Sequence, residues 1–256
     1  MLQHAVHGRR QLAGQRLLKP VWIETFAVAR RAGGPEIHYV ILNDLPSLIW
    51  SANLANLEIH PFLARAPDIE RPDFIVFDLD PGEGANILAC GDVAFLLKNS
   101  LARVGLDSFA KVSGSKGIQV YVPVRTSATY AETRPLARSI AESVEREHPD
   151  IVVSKMTKAA RPHKVLIDWS QNWDFKTTIA VYSLRAKRDT PYVSMPIDWN
   201  ELRRAMRKCT PASLYFEPEA ALRRLDKTGD LFAPLVRTRQ KLPGRTAAGA
   251  PRANSQ

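Results

Sequence analysis

The stretch DFIVFDLDPGEG, residues 73–84, most limits what this chain can fold into. Its run of Phe, Ile, Val and Leu is typical of a buried β-strand. Asp78 and Asp80 interrupt the run at alternate positions, so both carboxylates project from the same face of the strand. Pro81 and Gly82 then end the strand in a turn. The fold must therefore give two neighbouring acids a partner or a solvated place at the end of a core strand.

Three explanations fit this pair of acids. The first is a plain strand end, where Asp80 caps the turn and Asp78 is solvated. The second is a haloacid-dehalogenase-type phosphatase, but that pattern has Thr or Val where this chain has Pro81-Gly82, and it needs a late acidic pair that the sequence lacks. The third is a two-metal nucleotidyl transferase. It is favoured by Asp168, which ends another apolar strand in KVLIDWSQN, because three strand-end acids suit two divalent ions about 3.5–4 Å apart.

Cationic candidates lie elsewhere in the chain. SGSKG, residues 113–117, is a glycine turn whose backbone N–H groups, Ser113 hydroxyl and Lys116 suit a phosphate, although the segment by itself favours a plain hairpin turn with a solvated lysine. Arg185 ends a predicted strand and either clamps a triphosphate or pairs with a surface acid. His60 stands alone, and chemistry by itself favours a structural role for it.

Composition narrows the class of protein. The 256 residues include 36 Lys and Arg against 26 Asp and Glu, and the net charge of +10 favours a polyanionic partner such as nucleic acid. Cys90 and Cys209 are far apart and have no metal-ligand spacing, which argues against a disulfide scaffold or a zinc site and favours a reducing cytoplasm. No apolar run is long enough to span a bilayer, so we expect no membrane partner.

The periodicity predicts both strands and helices without strict βαβ alternation, which indicates an α+β domain on a mainly antiparallel sheet. Strands are predicted over residues 38–44, 74–80, 111–124 (as a hairpin), 164–169 and 177–186. Helices are predicted from Pro46, over 86–104, over 134–148, after an Asp198/Glu201 capping box, and from Pro218 to Gly229. The first helix has an apolar face formed by Leu48, Ile49, Ala52 and Ala55. From Arg237 onward the composition predicts a loose basic tail.

In order along the chain, FIVFDLDPGEG, KVSGSKGIQVYVPV, VLIDWSQN, KTTIAVYSLRA and GDLFAPLVRTRQKLP resemble the polymerase domain of bacterial ligase D, the end-joining ligase. That domain belongs to the archaeo-eukaryotic primase superfamily. The resemblance runs from about Leu18 to Pro243. It divides the chain into a divergent N-terminal stretch (1–17), a primase-like polymerase domain (18–243) and a flexible basic tail (244–256). It implies an α+β primase-polymerase-like fold whose mainly antiparallel catalytic sheet is flanked by helices.

The resemblance also implies a set of site residues. The metal ligands and catalytic acids would be Asp78, Asp80 and Asp168, holding two Mg²⁺ or Mn²⁺ ions. The nucleotide-binding residues would be His60, Ser113, Lys116, Gln119 and Arg185. Gln119 departs from the family pattern, which usually has His at this position, so the chain lacks one positive contact to the triphosphate.

The function implied is addition of NTP or dNTP to a primer 3′ end at gapped or broken DNA during non-homologous end joining. A DNA ligase and a Ku-type end-binding protein are the implied partners, and the nucleoid in the cytoplasm is the implied location. The family normally carries some tens of residues before the segment matching LKPVWIETFAVA, including those that grip a 5′-phosphate, so end recognition and activity are expected to be impaired. A decayed homologue that binds nucleotide or DNA without extension, and a primase that starts strands de novo, remain alternatives.

Overall fold

The computed structural model describes residues 5–6, 20–29, 34–125, 127–187 and 189–244. The predicted N-terminal stretch 1–17, except Ala5 and Val6, and the predicted tail 244–256, except Gly244, lie outside these residues. The helices and strands are β1 (Ala5–Val6), β2 (Thr25–Ala29), β3 (Glu36–Ile41), α1 (Leu45–Asn53), β4 (Phe74–Pro81), α2 (Ile87–Arg103), β5 (Phe109–Val112), β6 (Ile118–Pro123), α3 (Tyr130–Glu147), β7 (Val152–Val153), β8 (Val165–Asp168), β9 (Leu184–Arg185), β10 (Tyr192–Val193), β11 (Pro196–Ile197), α4 (Trp199–Arg207), α5 (Pro218–Thr228) and α6 (Ala233–Arg237).

A six-stranded sheet forms the centre of the molecule, in the order β11-β5-β6-β4-β8-β7. Every neighbouring pair is antiparallel except β7 and β8. A three-stranded sheet (β1-β3-β2) and a β9–β10 ribbon complete the strands. The predicted α+β fold with a mainly antiparallel sheet is confirmed.

The two faces of β4 have different neighbours, because side chains alternate along a strand. Ile75, Phe77 and Leu79 are buried in the main core, which includes most of the buried apolar residues of α2 and α3. Phe74 and Val76 face the other way, into a smaller cluster with Tyr121 and Phe232. Asp78 and Asp80 share this second face, so the helices α2 and α3 cover one side of the sheet and leave the acids on the other.

Several helix ends follow the predicted signals. Asn86 accepts hydrogen bonds from the first backbone N–H groups of α2, and Asp198 and Glu201 form the capping box of α4. Helix α5 runs from Pro218 to a left-handed Gly229. Helix α3 begins at Tyr130 rather than at residue 134, because Thr129 and Glu132 form a capping box upstream.

The prediction for α1 was wrong about its packing. The helix forms, with Asp44 as its cap, but it buries Ser47 and Ser51, while Leu48 and Ile49 are 41% and 51% exposed. Ala52 and Ala55 are exposed as well. The buried Ser51 accepts a hydrogen bond from the side chain of Asn56, so the inward side of this helix is small and polar.

The predicted strand over 177–186 was also wrong, since only Leu184 and Arg185 are in a strand. The backbone N–H groups of Thr178 and Ala180 instead donate to carbonyls in the irregular segment 59–61, and Tyr182 has a left-handed backbone. The segment after Arg237 is not loose throughout: the Gln240 side chain bonds both the N–H and the C=O of Asp107. In the described residues, no helix is long and apolar enough to cross a membrane.

Candidate functional site

A row of polar side chains crosses the middle of the sheet. Asp78 on β4 lies opposite Asp168 on β8 and opposite Gln119 on β6. Gln119 in turn lies opposite Lys111 on β5. Directly opposed residues share a face, so Lys111, Gln119, Asp78 and Asp168 form one line, and Asp80 follows on the same face two positions along β4.

This face opens into a cleft of about 590 Å³. The predicted site residues that line it are His60, Asp78, Asp80, Ser113, Lys116, Gln119 and Arg185. Asp168 is not among the lining residues. The structure therefore brings seven of the predicted residues into one cleft, from segments that are far apart in the chain, and places the eighth beside Asp78 in the sheet.

The carboxylate of Asp168 is held by the turn that follows β8. It accepts hydrogen bonds from the backbone N–H of Ser170 (2.8 Å) and from the side-chain amide of Gln171 (3.1 Å). Gln171 itself lines the cleft, although no sequence pattern singled it out. Asp168 is thus fixed by its local turn, and Gln171 connects its carboxylate to the lining of the cleft.

Asn172 fixes the same turn to β4. Its side chain is fully buried, accepts from the N–H of Val76 (2.8 Å) and donates to the C=O of Val76 (2.7 Å). It also donates to the C=O of Trp169 (2.8 Å). The amide therefore replaces the strand partner that β4 lacks beyond the end of β8, and it ties the turn carrying Asp168 to the strand carrying Asp78.

The acids of β4 are electrostatically costly in the free protein. Burial, followed by the negative charge of Asp80, raises the pKa of Asp78 to about 7, although the hydrogen bond with Gln119 and the charge of Lys111 oppose this. Burial and the charge of Asp168 also raise the pKa of Asp80 against the charges of Lys116, Arg161 and Arg185. Both carboxylates therefore lack enough positive charge from the protein alone.

Lys111 is a residue that the sequence interpretation missed. Its side chain is fully buried, its ammonium donates to Ser194 Oγ, and burial lowers its pKa to about 7 even though Asp78 favours the charged form. The signal in the sequence was a lysine in the middle of an apolar strand, which is rarely tolerated unless an acid lies near.

Gln119 is anchored within the row rather than pointing freely into the cleft. Its amide nitrogen donates to Thr178 Oγ1 (2.9 Å), its amide oxygen accepts from the hydroxyl of Tyr121 (3.4 Å), and its hydrogen bond with Asp78 lowers the pKa of that acid. A glutamine supplies these contacts without charge.

The glycine turn differs from the expected cradle of free N–H groups. The N–H groups of Ser115 (3.3 Å) and Gly117 (3.2 Å) both donate to Ser113 Oγ, so this hydroxyl organises the turn. Gly114 has a left-handed backbone, and a Cβ at Gly117 would lie 2.3 Å from the carbonyl oxygen of Leu79. The turn thus packs directly on β4 beside Asp80 and leaves the exposed Lys116 at the cleft.

Glu58 joins the remaining two predicted residues. Its Oε2 lies 3.0 Å from His60 Nε2 and 3.2 Å from Arg185 Nη1. The Nε atom of Arg185 is buried and has no hydrogen-bond partner in the described part of the chain. The cationic side of the cleft therefore contains a carboxylate that the sequence interpretation did not include.

The sequence matches the family described as LigD, primase-polymerase domain, over residues 13–232. This chain belongs to that family. Among relatives, it is 37% identical over 218 residues to the multifunctional non-homologous end joining protein LigD of Mycolicibacterium smegmatis, covering 84% of this chain and 27% of that protein. It is 32% identical over 239 residues to the bifunctional non-homologous end joining protein LigD of Bacillus subtilis, covering 93% of this chain and 38% of that protein.

A solved structure has the same fold. The polymerase domain from Mycobacterium tuberculosis Ligase D, in complex with DNA, superposes with a TM-score of 0.81 at 33% identity, covering 93% of this chain and 86% of that one. The resemblance to the LigD polymerase domain is thereby confirmed. The present chain spans only 27–38% of the length of the two full LigD proteins named above.

The acids of this LigD-family domain suit hard divalent cations, because all three donors are carboxylates and two of them carry raised pKa values. Within residues 5–6, 20–29, 34–125, 127–187 and 189–244, no three His, Cys, Asp or Glu side chains are already arranged as a metal site. The Gln171 contact explains part of this, since it occupies one oxygen of Asp168. The residue types fit a divalent metal, although the three acids are not grouped as ligands in this structure.

Proposed function

We propose that this domain adds nucleotides to a primer 3′ end, directed by a template, in non-homologous end joining. The observation that carries the proposal is one cleft lined by the paired acids Asp78 and Asp80 together with Lys116 and Arg185. The two carboxylates can bind metal cations, and the two cationic side chains can bind phosphate oxygens. Together they suit a metal-bound nucleoside triphosphate. The family supports the same reaction, and we assign it to residues 18–243.

In this proposal Asp78, Asp80 and Asp168 hold Mg²⁺ or Mn²⁺. When bound, two such ions lower the pKa of the primer 3′-hydroxyl and neutralise charge on the triphosphate. Lys116 and Arg185 bind phosphate oxygens, and Ser113 keeps the glycine turn in the shape that presents Lys116. His60 contacts the nucleotide.

Of the proposed site residues, Gln119 contributes least directly to the reaction. It orients Asp78 through its hydrogen bond and cannot supply the charge that a histidine supplies there. If the missing charge acts mainly in the transition state, its loss lowers the rate by about 10²–10³.

The substrates and partners proposed are gapped or broken DNA, an NTP or dNTP, a DNA ligase and a Ku-type protein, with the domain acting at the nucleoid in the cytoplasm. The net charge of +10 supports binding of DNA. The polymerase domain of Mycobacterium tuberculosis Ligase D was solved with DNA, which supports the same ligand here.

A second candidate is a decayed homologue that binds nucleotide or DNA without extension. Gln119 is the observation that favours it. A third, de novo strand initiation, differs from extension only in needing no primer.

The test is extension of a gapped or 3′-recessed DNA by the full chain with Mn²⁺ and labelled nucleotides, with and without the primer. We expect primer-dependent extension by the wild type, a gain of about 10²–10³ in Gln119→His, and no extension by Asp78→Ala, which should still bind DNA. Extension by Asp78→Ala would disprove the assignment of this acid. Failure of both folded wild type and Gln119→His would leave the binding-only candidate.

A further inference from the structure

Glu58 connects two nucleotide-binding candidates that come from different parts of the chain. Its Oε2 contacts both His60 Nε2 (3.0 Å) and Arg185 Nη1 (3.2 Å), and its Oε1 accepts from the backbone N–H of Ala186 (3.0 Å). His60 and Arg185 line the cleft, whereas Glu58 is not among the lining residues. One carboxylate thereby links the segment after α1 to strand β9.

A negative charge is unexpected beside a site for a triphosphate. Burial alone would raise the pKa of Glu58, but the hydrogen bond with His60, the charge of Arg185 and the N–H of Ala186 together hold it below its usual value. Glu58 is therefore ionised at neutral pH, and its charge repels any anion bound at Arg185. A side chain with this cost needs a compensating geometric role.

The geometry of Arg185 supplies that role. Glu58 pairs with the Nη1 atom, while the Nε atom is buried and has no hydrogen-bond partner among the residues that the structure describes. A buried guanidinium N–H without an acceptor is unfavourable, so a ligand oxygen at this atom would be bound with a large gain. Without Glu58, the long side chain of Arg185 would be free to turn toward other acceptors.

We propose that Glu58 is a positioning residue for the nucleotide triphosphate: it fixes Arg185 and His60 so that the buried Nε–H of Arg185 receives a phosphate oxygen. The proposal rests on the function proposed above, because it assumes that the cleft binds a triphosphate. It assigns Glu58 no contact with the substrate.

A purely electrostatic role and a positioning role predict opposite changes in triphosphate affinity for Glu58→Gln. If Glu58 acted only through its charge, Glu58→Gln would make the cleft more positive and tighten triphosphate binding. If Glu58 positions Arg185, the same substitution weakens binding. Glutamine is uncharged and keeps only one acceptor oxygen, so it holds His60, Arg185 and the N–H of Ala186 less firmly. Glu58→Asp keeps the charge and shortens the side chain, so only positioning predicts a loss there.

The experiment is calorimetric titration of the full chain with ATP and Mn²⁺, with inorganic tripolyphosphate and Mn²⁺, and with adenosine. We expect Glu58→Gln and Glu58→Asp each to weaken ATP and tripolyphosphate binding about 10-fold and to leave adenosine binding unchanged. In an Arg185→Ala background, Glu58→Gln should have little further effect on either triphosphate. The loss should appear in KM more than in kcat when extension is measured.

Glu201→Gln is a matched control. The Glu201–Arg224 pair has the same side-chain exposures as the Glu58–Arg185 pair, 22% and 16%, and joins α4 to α5 outside the cleft. It should change thermal stability and leave triphosphate affinity unchanged.

Three results would overturn the proposal. The first is unchanged or tighter triphosphate binding in both Glu58 variants. The second is an equal loss of triphosphate affinity in Glu201→Gln. The third is an equal loss of adenosine affinity in the Glu58 variants. If Glu58→Gln does not fold, Glu58→Asp alone decides. A folded wild type that binds neither ATP nor tripolyphosphate would overturn the proposed function itself, and the role of Glu58 with it.

Discussion

Asn172→Ala should be among the most damaging single substitutions in the sheet, although residue 172 touches no predicted ligand. The substitution leaves the N–H and C=O of Val76 without their partner, and Val76 is fully buried. Each unsatisfied buried group costs about 1–3 kcal/mol, so we expect the free energy of unfolding to fall by about 2–6 kcal/mol for the two groups. Urea unfolding followed by circular dichroism, in EDTA, measures this loss directly.

The same substitution should weaken Mn²⁺ binding, because the turn that holds Asp168 is no longer tied to the strand that holds Asp78. Asn86→Ala is the control: it removes the cap of α2, costs about 1 kcal/mol, and should leave Mn²⁺ affinity unchanged. A loss below about 1 kcal/mol in Asn172→Ala would refute the hydrogen-bond argument. Wild-type Mn²⁺ affinity in a folded Asn172→Ala protein would refute the link between the turn and the acids.

Three other predictions concern the row of polar residues and the turn beside it. Asp78 has a pKa of about 7 in the folded protein, against an ordinary value of 3.8. Between these two pH values, without metal, the folded state holds a proton that the unfolded state has released. The free energy of unfolding therefore falls as pH rises, by up to about 1.4 kcal/mol per pH unit. Asp78→Asn should reduce this slope in urea unfolding between about pH 4.5 and 6, where Lys111 is mostly charged; Asp80, whose pKa is also raised, keeps part of the slope. Lys111→Met removes a charge that lowers the pKa of Asp78, so half-maximal Mn²⁺ binding should move to higher pH. Gly117→Ala places a methyl group 2.3 Å from Leu79 O and should cost more stability than Gly105→Ala, which meets no atom within 4 Å.

Each of these has a contrary outcome. An equal pH slope in Asp78→Asn would place the titration on another group. An unchanged pH midpoint in Lys111→Met would show that its ammonium is too distant or uncharged. Equal losses in the two glycine variants would mean that the left-handed backbone of Gly105, and not contact at Gly117, dominates.

The sequence predicted the strands that carry the acids, because short apolar runs that end in Asp78–Asp80 and in Asp168 are typical of buried β-strands. It did not predict that Asp168 and Gln119 both lie directly opposite Asp78, since register depends on pairings between distant segments. Glu58 and Asn172 were missed for a related reason. A glutamate in NLEIHPF and an asparagine in DWSQN are ordinary loop residues until the fold shows which backbone and side-chain groups they meet.

The failures at α1 and at residues 177–186 have a different cause. Leu48 and Ile49 have the spacing of a buried helix face, yet the fold uses the small serines of the opposite side. Residues 177–181 have strand-like composition, but their backbone bonds go to the irregular segment 59–61. In both places tertiary contacts outweighed local preference.

The pair of hydrogen bonds between the Asn172 side chain and the Val76 backbone joins residues 96 positions apart. While the chain is being synthesised, Asp78 and Asp80 leave the ribosome long before the segment that carries Asp168 and Asn172. The acids consequently have no sheet in which to meet until most of the domain is made, because contacts of such sequence separation form late. Under the proposed function, primer extension would then report on completed folding, because a half-folded chain would carry the acids without the sheet that aligns them.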